Sequence, residues 1–406
     1  MICGLLGKSL GHSLSPLVHS FLGDYDYRLF ALPPEQVADF FARRAFDGLN
    51  VTIPYKSVAM GFCDEVSARA MRAGGVNTVV KRPDGSLYGD TTDVAGAVWA
   101  LEHLGAPVAG AKVLVLGDGG AAGAVRSALA DMGAGQVVTV SRRGPVGYGD
   151  LGDHRDAGLI INATPVGMYP NNGGELIDLA AFGDCRGVWD LIYNPLRTRL
   201  LLQADELGMA CANGMGMLVA QARAAAELFC GRAVGADVAG ITAAITARQQ
   251  NWVLVGMPGC GKSTVARQLA KLTGREVVDT DVLVEQAAGK SIPEVFGEGG
   301  EPAFRALERE AVAEAGKLAG RIIAVGGGAV LSPQNRLALR QNGRVVWLRR
   351  PLEQLDTQGR PLSADGDGLA RMWREREPLY RAFADVVVES AEGTKATAQR
   401  VLDMVK

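Results

Sequence analysis

Two stretches decide the fold: Val113-Leu-Val-Leu-Gly117-Asp-Gly119-Gly120-Ala-Ala-Gly123 and Gly256-Met-Pro-Gly-Cys-Gly261-Lys262-Ser263. The first begins with a short apolar run and the second follows one, and a stretch that favours a helix comes after each. The pattern predicts a strand, a tight glycine turn and a helix, in which backbone N–H groups at the helix start hold phosphate. The chain therefore carries two nucleotide-binding units.

Further strands are marked by short runs of β-branched or large apolar residues near glycines. They alternate with Ala-rich helical stretches, which is typical of α/β folds with parallel sheets. The expected strands are Lys112–Leu116, Gln136–Val140, Leu159–Asn162, Gly187–Leu191, Trp252–Val255, Ile322–Val325 and Val345–Leu348. An Ala-rich helix is expected at Ile241–Gln250, and it places a domain boundary directly before Trp252.

Composition limits the class of protein. The 406 residues are 48% hydrophobic and 21% charged, which suits two or three globular domains. A net charge of −2 gives no electrostatic reason to expect nucleic acid or a membrane as partner. No basic, cleavable leader is seen, and the six cysteines form no C-x-x-C motif. A cytoplasmic protein without a cysteine-based metal site is expected.

The first glycine turn offers Gly117, Gly119, Gly120 and Ala121 to a pyrophosphate. The next strand ends in Ser141-Arg142-Arg143, where an NAD enzyme usually has Asp or Glu. Because the planar guanidinium of Arg142 suits a 2′-phosphate, the sequence predicts NADP(H). The alternative is an exposed basic turn without a ligand.

Polar motifs surround this unit in a particular order. They are Ser13-Leu-Ser15-Pro16, Asn50-Val-Thr52-Ile-Pro54-Tyr-Lys56, Gly74-Gly-Val-Asn77-Thr78, Gly89-Asp90-Thr91-Thr92-Asp93, Asn162–Met168, Tyr193–Pro195 and Asn213–Gln221. With the glycine turn, they resemble the shikimate dehydrogenase family from about Met1 to Ala247. The chain departs at Thr91, where the family usually has Asn, and at Asp118, where it usually has a small residue.

This resemblance implies a site for shikimate. Lys56 and Asp93 would form the catalytic pair, since hydride addition to a ketone requires a proton donor within reach of the oxygen. Leu191 and Gly214 would contact the cofactor. The side chains implied to hold the hydroxyls and carboxylate of shikimate are Ser13, Ser15, Thr52, Asn77, Asp93, Tyr193 and Gln221. The two serines are similar to the shikimate rather than the quinate members of the family.

The second glycine turn satisfies G-x-x-x-x-G-K-[ST], which predicts ATP binding. Lys262 reaches the β/γ-phosphates, Ser263 ligates Mg²⁺, and the loop residues involved are Gly259, Cys260, Gly261, Lys262, Ser263 and Thr264. Asp279 and Asp281 are two apart at a predicted strand end, and therefore on one face. One carboxylate can serve Mg²⁺ and the other an acceptor hydroxyl; the alternative is an acidic turn.

The remaining motifs of this half identify the acceptor class. They are Gly289–Phe296, Gly300–Arg305, Gly326–Gly328, Gly359–Leu362 and Arg374–Tyr380. Together they look like the shikimate kinase family over about Asn251 to Lys406. The implied acceptor site is Asp281, Arg305, Gly327 and Arg376, and Arg360 of a short lid would contact ATP. Arg305 could instead be a helix-surface partner of Glu301 or Glu308.

The predicted architecture is α/β throughout. It consists of a substrate domain (1–98, completed by helices in 213–248), a Rossmann NADP domain (99–212) and a P-loop kinase domain with a parallel sheet (251–406). The expected activities are NADPH-dependent reduction of 3-dehydroshikimate and ATP- and Mg²⁺-dependent phosphorylation of shikimate, by a monomer or homodimer. Two alternatives stay open: an NAD-dependent quinate/shikimate dehydrogenase with an unrelated kinase, and a non-catalytic nucleotide-sensing second half.

Overall fold

The described residues of the computed structural model are 1–11, 13–356, 366–390 and 393–405, with backbone alone at 366 and 367. They form two units. The first comprises Met1–Tyr193 and Thr198–Ile245, and the second comprises Asn194–Arg197 and Thr246–Lys406. The predicted α/β class is confirmed, because strands and helices alternate throughout both units. The finer domain bounds stay a prediction.

The first part of unit 1 is a six-stranded mixed sheet with helices. Its elements are β1 Ile2–Gly7, α1 Ser15–His19, β2 Asp26–Ala31, α2 Pro34–Arg43, β3 Gly48–Val51, α3 Lys56–Met60, β4 Glu65–Val66, α4 Ala68–Ala73, β5 Thr78–Lys81, β6 Leu87–Asp90 and α5 Asp93–Glu102. The strand order is β2-β1-β3-β5-β6-β4. Leu6, Leu49 and Val79 bury the sheet against Phe41 and Phe46. This packing fixes the loops after β3 and β6.

A five-stranded parallel sheet completes unit 1. Its elements are β7 Lys112–Leu116, α6 Gly120–Asp131, β8 Gln136–Val140, β9 Leu159–Asn162, β10 Gly187–Asp190, α7 Arg199–Glu206, β11 Ala210–Ala212, α8 Met215–Cys230 and α9 Val238–Gln249. The order is β11-β10-β9-β7-β8. The first three strands have their predicted bounds. β10 ends one residue early because the Asp190 carboxylate accepts the Ile192 N–H and turns the chain.

Unit 2 contains a second five-stranded parallel sheet, ordered β13-β14-β12-β15-β16. Its elements are β12 Asn251–Val255, α10 Lys262–Thr273, β13 Val277–Asp279, α11 Thr280–Ala288, α12 Ile292–Lys317, β14 Ile322–Ala324, α13 Pro333–Asn342, β15 Gly343–Arg349, α14 Gly366–Phe383, β16 Val386–Glu389 and α15 Thr394–Val405. Val253, Ile323 and Val346 form the middle of its core. None of the described helices has the length and apolar character that a membrane span requires.

Some bounds differ from the sequence prediction. The helix predicted at Ile241–Gln250 begins earlier, at Val238. β15 is longer than predicted because its last residue, Arg349, still pairs with Glu389 of β16. α12 bends at Gly300, whose φ of 66° is outside the helical range. The bend separates the first turns of α12 from the part that carries Arg305.

A buried carboxylate fixes the turn between β6 and α5. Asp90 is 2% exposed and accepts hydrogen bonds from Ser67 Oγ at 2.5 Å, Arg69 Nε at 2.6 Å and the Thr91 N–H at 2.7 Å. Burial raises the pKa of Asp90, but the hydrogen bonds from Arg69 and Ser67 outweigh it and hold that pKa below its usual range. Asp90 therefore anchors the residues that lead into Asp93.

We expect Asp90→Ala to lower the free energy of unfolding of unit 1 by about 2–3 kcal/mol, because three donors lose their acceptor. Urea denaturation measures this loss, and the exposed turn variant Asp84→Ala should change stability far less. Since the folded-state pKa is depressed, the stabilisation is present above about pH 4 and is lost as the pH falls through the folded pKa. Equal stability of Asp90→Ala and the wild type at pH 7 would contradict the assignment.

Candidate functional site

The first site is built at the starts of two helices of unit 1. Lys56 is the first residue of α3, and Asp93 is the first residue of α5. Lys56 Nζ donates to Asp93 Oδ2 at 2.6 Å, and both side chains are largely buried. The other carboxylate oxygen, Oδ1, accepts from Asn77 Nδ2 at 2.7 Å. The ammonium is thus oriented by one oxygen and keeps further N–H groups for a ligand.

Asn77 joins this pair to two more side chains. Its Oδ1 accepts the Thr92 N–H at 2.8 Å, and its Nδ2 lies 3.1 Å from Thr92 Oγ1. The same Nδ2 lies 3.3 Å from Gln221 Oε1 of α8. The structure therefore brings together Lys56, Asn77, Asp93 and Gln221, all of which the family resemblance assigns to the shikimate site. Thr92 was not predicted as a site residue. Its position directly before Asp93, within the motif Gly89–Asp93, is the signal that the sequence offers.

A second line of hydrogen bonds reaches Asn77 from the serine motif. The Tyr27 hydroxyl donates to Asn50 Oδ1 at 2.8 Å, and Asn50 Nδ2 donates to the Asn77 carbonyl at 3.4 Å. Burial raises the pKa of Tyr27, and a hydrogen bond with the Ser15 side chain opposes this. Ser13 Oγ accepts the Ser15 N–H at 3.2 Å. Tyr27 and Asn50, also missed in the sequence, position this side of the pocket.

Three predicted ligands stand apart from the pair. Within the described chain, Ser13, Thr52 and Tyr193 make no hydrogen bond to Lys56 or Asp93. Thr52 is fixed by its own N–H, which donates to the Leu6 carbonyl at 2.9 Å. Burial raises the pKa of Tyr193, so its phenol remains a protonated donor at neutral pH. Their contacts to a substrate stay predictions.

The first glycine turn has the geometry of a phosphate loop. Gly117 has a φ of 104°, and its N–H donates to the Val140 carbonyl at 2.8 Å, which holds the turn beside the end of β8. The helix that follows starts with Gly119 as its cap and Gly120 and Ala121 as its first residues, so its N–H groups are open to an anion. Asp118 pairs with Arg126 at 2.9 Å on the surface, so its charge is partly compensated.

Ser141, Arg142 and Arg143 follow β8 directly, and both arginines are exposed. Burial raises the pKa of Tyr148, and the neighbouring Arg142 cation opposes this. Arg142 forms no ion pair with another described residue. The residues present therefore fit an adenosine 2′-phosphate, because a free planar cation lies beside the phosphate loop.

Asp190 holds together two loops at the carboxyl end of the same sheet. It accepts from Asn162 Nδ2 at 2.9 Å, the Ile192 N–H at 3.0 Å and Thr198 Oγ1 at 2.6 Å. Burial raises its pKa to about 6, although these hydrogen bonds oppose the shift. The signal for this role in the sequence is a carboxylate at the end of an apolar strand, which by itself predicts only the strand.

Leu191 and Gly214, the predicted cofactor contacts, meet at this loop. The Leu191 N–H donates to the Asn162 carbonyl at 2.9 Å, and the Gly214 N–H donates to the Ile192 carbonyl at 3.1 Å. A Cβ on residue 214 would overlap the Leu191 carbonyl oxygen, so this approach requires glycine. Asp190 and Gly214 therefore fix this loop; its contact with the cofactor stays a prediction.

The second site begins with the P-loop. Gly256, Gly259 and Gly261 have φ angles of 146°, 81° and 96°, and the helix begins at Lys262. Lys262 Nζ donates to the Gly256 carbonyl at 2.9 Å and to the Met257 carbonyl at 3.1 Å. The ammonium thus lies over the loop that would hold the phosphates. Within the same loop Cys260 is buried, and Thr264 is exposed at the start of α10.

Ser263 and Asp279 fit a magnesium site. Ser263 Oγ donates to Asp279 Oδ2 at 2.7 Å, so a hydroxyl and a carboxylate oxygen meet beside the P-loop. Mg²⁺ prefers oxygen ligands. The predicted shared strand face of Asp279 and Asp281 is wrong. Asp279 ends β13 and its carboxylate caps α11 by accepting the Asp281 N–H at 3.1 Å, which places Asp281 in the first helical turn.

The predicted acceptor residues converge on the glycine turn after β14. A Cβ on Gly326 would lie 2.8 Å from Asp281 Oδ1 and 3.1 Å from Glu308 Oε1, and one on Gly328 would overlap the Arg305 guanidinium. Burial raises the pKa of Glu308, Arg305 and Arg376 oppose this, and Asp281 adds to it. Asp281, Arg305, Glu308 and Arg376 are therefore neighbours around one turn.

Arg305 does pair with both glutamates, at 2.9 Å to Glu301 and 2.9 Å to Glu308, as the alternative interpretation proposed. The Arg305–Glu308 pair is not a surface pair, because the Arg305 side chain is 19% exposed and the Glu308 side chain only 1%. Glu308 Oε1 and Arg376 Nε have no hydrogen-bond partner among the described residues. Glu308 was missed as a site residue because its spacing from Arg305 predicts only a helix-surface pair.

One predicted residue cannot be placed. Arg360, assigned to ATP in the short lid, lies outside the described residues.

Two family models match this chain. One, described as the shikimate dehydrogenase substrate binding domain, covers residues 5–79, and the other, described as shikimate kinase, covers residues 258–406. A relative named shikimate dehydrogenase (NADP(+)), from Methanopyrus kandleri, is 39% identical over 270 residues, which are 58% of this chain and 92% of the relative. Both resemblances drawn from the sequence are confirmed.

Solved structures of shikimate dehydrogenases agree with this. A chorismate mutase/shikimate 5-dehydrogenase fusion protein from Clostridium acetobutylicum is 34% identical with a TM-score of 0.57, over 60% of this chain and 96% of that one. Shikimate 5-dehydrogenase from Thermus thermophilus, in complex with NADP(H) and shikimate, is 33% identical with a TM-score of 0.54, over 60% and 98%. The chain belongs to the shikimate dehydrogenase family, and it carries a shikimate kinase domain after the dehydrogenase.

Proposed function

We propose that this chain catalyses two consecutive reactions, the NADPH-dependent reduction of 3-dehydroshikimate to shikimate and the ATP-dependent phosphorylation of shikimate to shikimate 3-phosphate. The observation that carries the proposal is that one chain holds both the Lys56–Asp93 pair with a dinucleotide-type glycine turn and a P-loop beside an arginine-lined turn. The hydroxyl that the first reaction creates at carbon 3 is the oxygen that the second would phosphorylate.

In the reduction, NADPH supplies the hydride. Lys56 donates a proton to the carbonyl oxygen as negative charge develops there. Asp93 Oδ2 holds the ammonium at 2.6 Å, while Asn77 occupies the other carboxylate oxygen, so Asp93 is oriented from both sides. Ser13, Ser15, Thr52, Tyr193 and Gln221 would bind the remaining hydroxyls and the carboxylate of the substrate.

In the phosphorylation, ATP bound with Mg²⁺ supplies the phosphoryl group. The P-loop N–H groups and Lys262 would hold the phosphates, and Ser263 and Asp279 would hold the metal ion. Asp281 orients the attacking hydroxyl and accepts its proton. Arg305 and Arg376 bind the carboxylate of the acceptor, which distinguishes it from a nucleoside.

Two rival functions are less well supported. The exposed Arg142 and the Ser13–Ser15 pair favour NADP and shikimate over an NAD-dependent quinate dehydrogenase. A non-catalytic second unit would not need the Ser263–Asp279 pair or the buried arginine cluster. We also propose a cytoplasmic location, which the six free cysteines support, and a monomer or homodimer.

The first test concerns Lys56. We expect Lys56→Ala to lower kcat for ketone reduction by roughly 10²–10⁴-fold, because the proton donor is lost. Kinase turnover of the same variant serves as the folding control, and Lys81→Ala, a surface lysine paired with Asp47, should keep full reductase activity. A rise in KM with unchanged kcat would make Lys56 a binding group only.

The second test concerns the cofactor. Arg142→Ala should raise the KM for NADPH by about tenfold or more, since a charge-assisted contact contributes about 1.5–3 kcal/mol. The KM for NADH should not change, and the exposed Arg155→Ala is the matched control. An unchanged KM for NADPH, or faster wild-type turnover with NADH, would overturn the assignment.

The third test concerns the acceptor carboxylate. Arg305→Ala and Arg376→Ala should each lower kcat/KM for shikimate. We expect a loss of transition-state stabilisation of about 2–5 kcal/mol, because the buried carboxylate of shikimate loses one of its two guanidinium partners. The Kd for ATP should barely move. Arg309→Ala on α12 and Arg381→Ala on α14 are exposed controls on the same helices. Wild-type shikimate kinetics in both test variants would contradict the proposed acceptor.

A further inference from the structure

A buried tyrosine contacts the glycine turn of the kinase site. Tyr380 lies on α14, is 1% exposed, and stacks on Trp347 with ring centroids 5.8 Å apart and an angle of 25° between the rings. Its hydroxyl donates to the Gly327 carbonyl at 2.6 Å. Burial raises the pKa of Tyr380, so the phenol is a permanent donor at neutral pH. Tyr380 therefore fixes the direction of one peptide bond.

That peptide bond joins Gly327 to Gly328. In a planar trans peptide the C=O and the next N–H point in opposite directions. Because the carbonyl points to Tyr380, the Gly328 N–H points away from α14. The described residues supply no acceptor for this N–H, although Gly328 is buried. A buried donor without a partner is costly, so such a group usually awaits a ligand or a water.

The surroundings of the turn determine what that ligand is. Gly328 borders the Arg305 guanidinium, which a Cβ at this position would overlap. On the neighbouring residue, a Cβ on Gly327 would lie 2.7 Å from Pro258 Cδ of the P-loop. The free N–H is therefore held between the cation proposed for the acceptor and the loop proposed for the phosphates. An oxygen of a small anionic acceptor suits this position.

We infer that Tyr380 is a positioning residue of the kinase site, whose hydroxyl holds the Gly327–Gly328 peptide so that the Gly328 N–H donates to an oxygen of the acceptor beside Arg305. The inference rests on the proposed kinase function. Tyr380 itself touches no substrate; it acts through the peptide. Losing its hydroxyl frees the peptide to rotate, which weakens acceptor binding and leaves the phosphate loop in place.

The test is Tyr380→Phe in the full chain, which keeps the ring on Trp347 and removes the hydroxyl that donates to the Gly327 carbonyl and also faces Arg376. We expect the KM for shikimate to rise about tenfold, which corresponds to about 1.4 kcal/mol and so to one lost hydrogen bond, with kcat, the KM for ATP and reductase activity nearly unchanged. The matched control is Thr397→Val on α15, which also removes a buried hydroxyl that donates to a carbonyl, Gly393, at 2.9 Å. It should keep wild-type shikimate kinetics.

A second measurement does not depend on the variant folding. In the wild-type chain labelled with ¹⁵N-glycine, added shikimate should shift the Gly328 amide proton downfield, as a new hydrogen bond requires. A wild-type KM for shikimate in Tyr380→Phe, an equal loss in Thr397→Val, or an unmoved Gly328 amide would each overturn the inference while leaving the proposed kinase standing. A wild-type chain that does not phosphorylate shikimate would overturn both.

Discussion

The hydrogen bonds between neighbouring parallel strands are the constraint on which both candidate sites depend. The Gly117 N–H donates to the Val140 carbonyl, and the Val325 N–H donates to the Leu254 carbonyl, each just where a strand ends. Parallel strands end at the same edge of a sheet. These bonds therefore place the loops that follow the strands side by side along that edge, although the loops are far apart in the sequence. The glycine turns proposed to bind phosphate in the two units are both held at such an edge.

Each unit contains a largely buried cation that a carboxylate stabilises, but the two carboxylates have different hydrogen-bond partners. Lys56 and Arg305 are cations in largely buried surroundings, and each is paired with a buried carboxylate, Asp93 or Glu308. Asp93 receives Asn77 on its second oxygen, whereas Glu308 keeps one oxygen without a partner among the described residues. The first pair is therefore complete before substrate arrives. The second has unused hydrogen-bonding capacity that suits an incoming ligand.

The sequence alone predicted the parts of the structure that depend on local pattern. The strands Lys112–Leu116 and Gln136–Val140 have the predicted bounds because each is a short run rich in β-branched residues with a glycine directly at one end. Asp281 was misplaced because the Asp279 side chain caps a helix, and spacing cannot tell a cap from a strand end. Tyr380 was predicted only as part of the motif Arg374–Tyr380. Its own role could not be predicted, because the Gly327 carbonyl that it contacts is 53 residues away along the chain. Long-range hydrogen bonds of that kind carry no local signal.

The Gly214 backbone also has a consequence for how this chain can change. Its amide approaches the Leu191–Ile192 loop so closely that any side chain would collide with a carbonyl oxygen. Every substitution of glycine adds at least a methyl group. No substitution at residue 214 therefore leaves the Leu191–Ile192 loop in place. Adaptation of the proposed dinucleotide pocket to another cofactor must therefore begin at exposed positions, where residues such as Arg142 can be exchanged without moving the backbone.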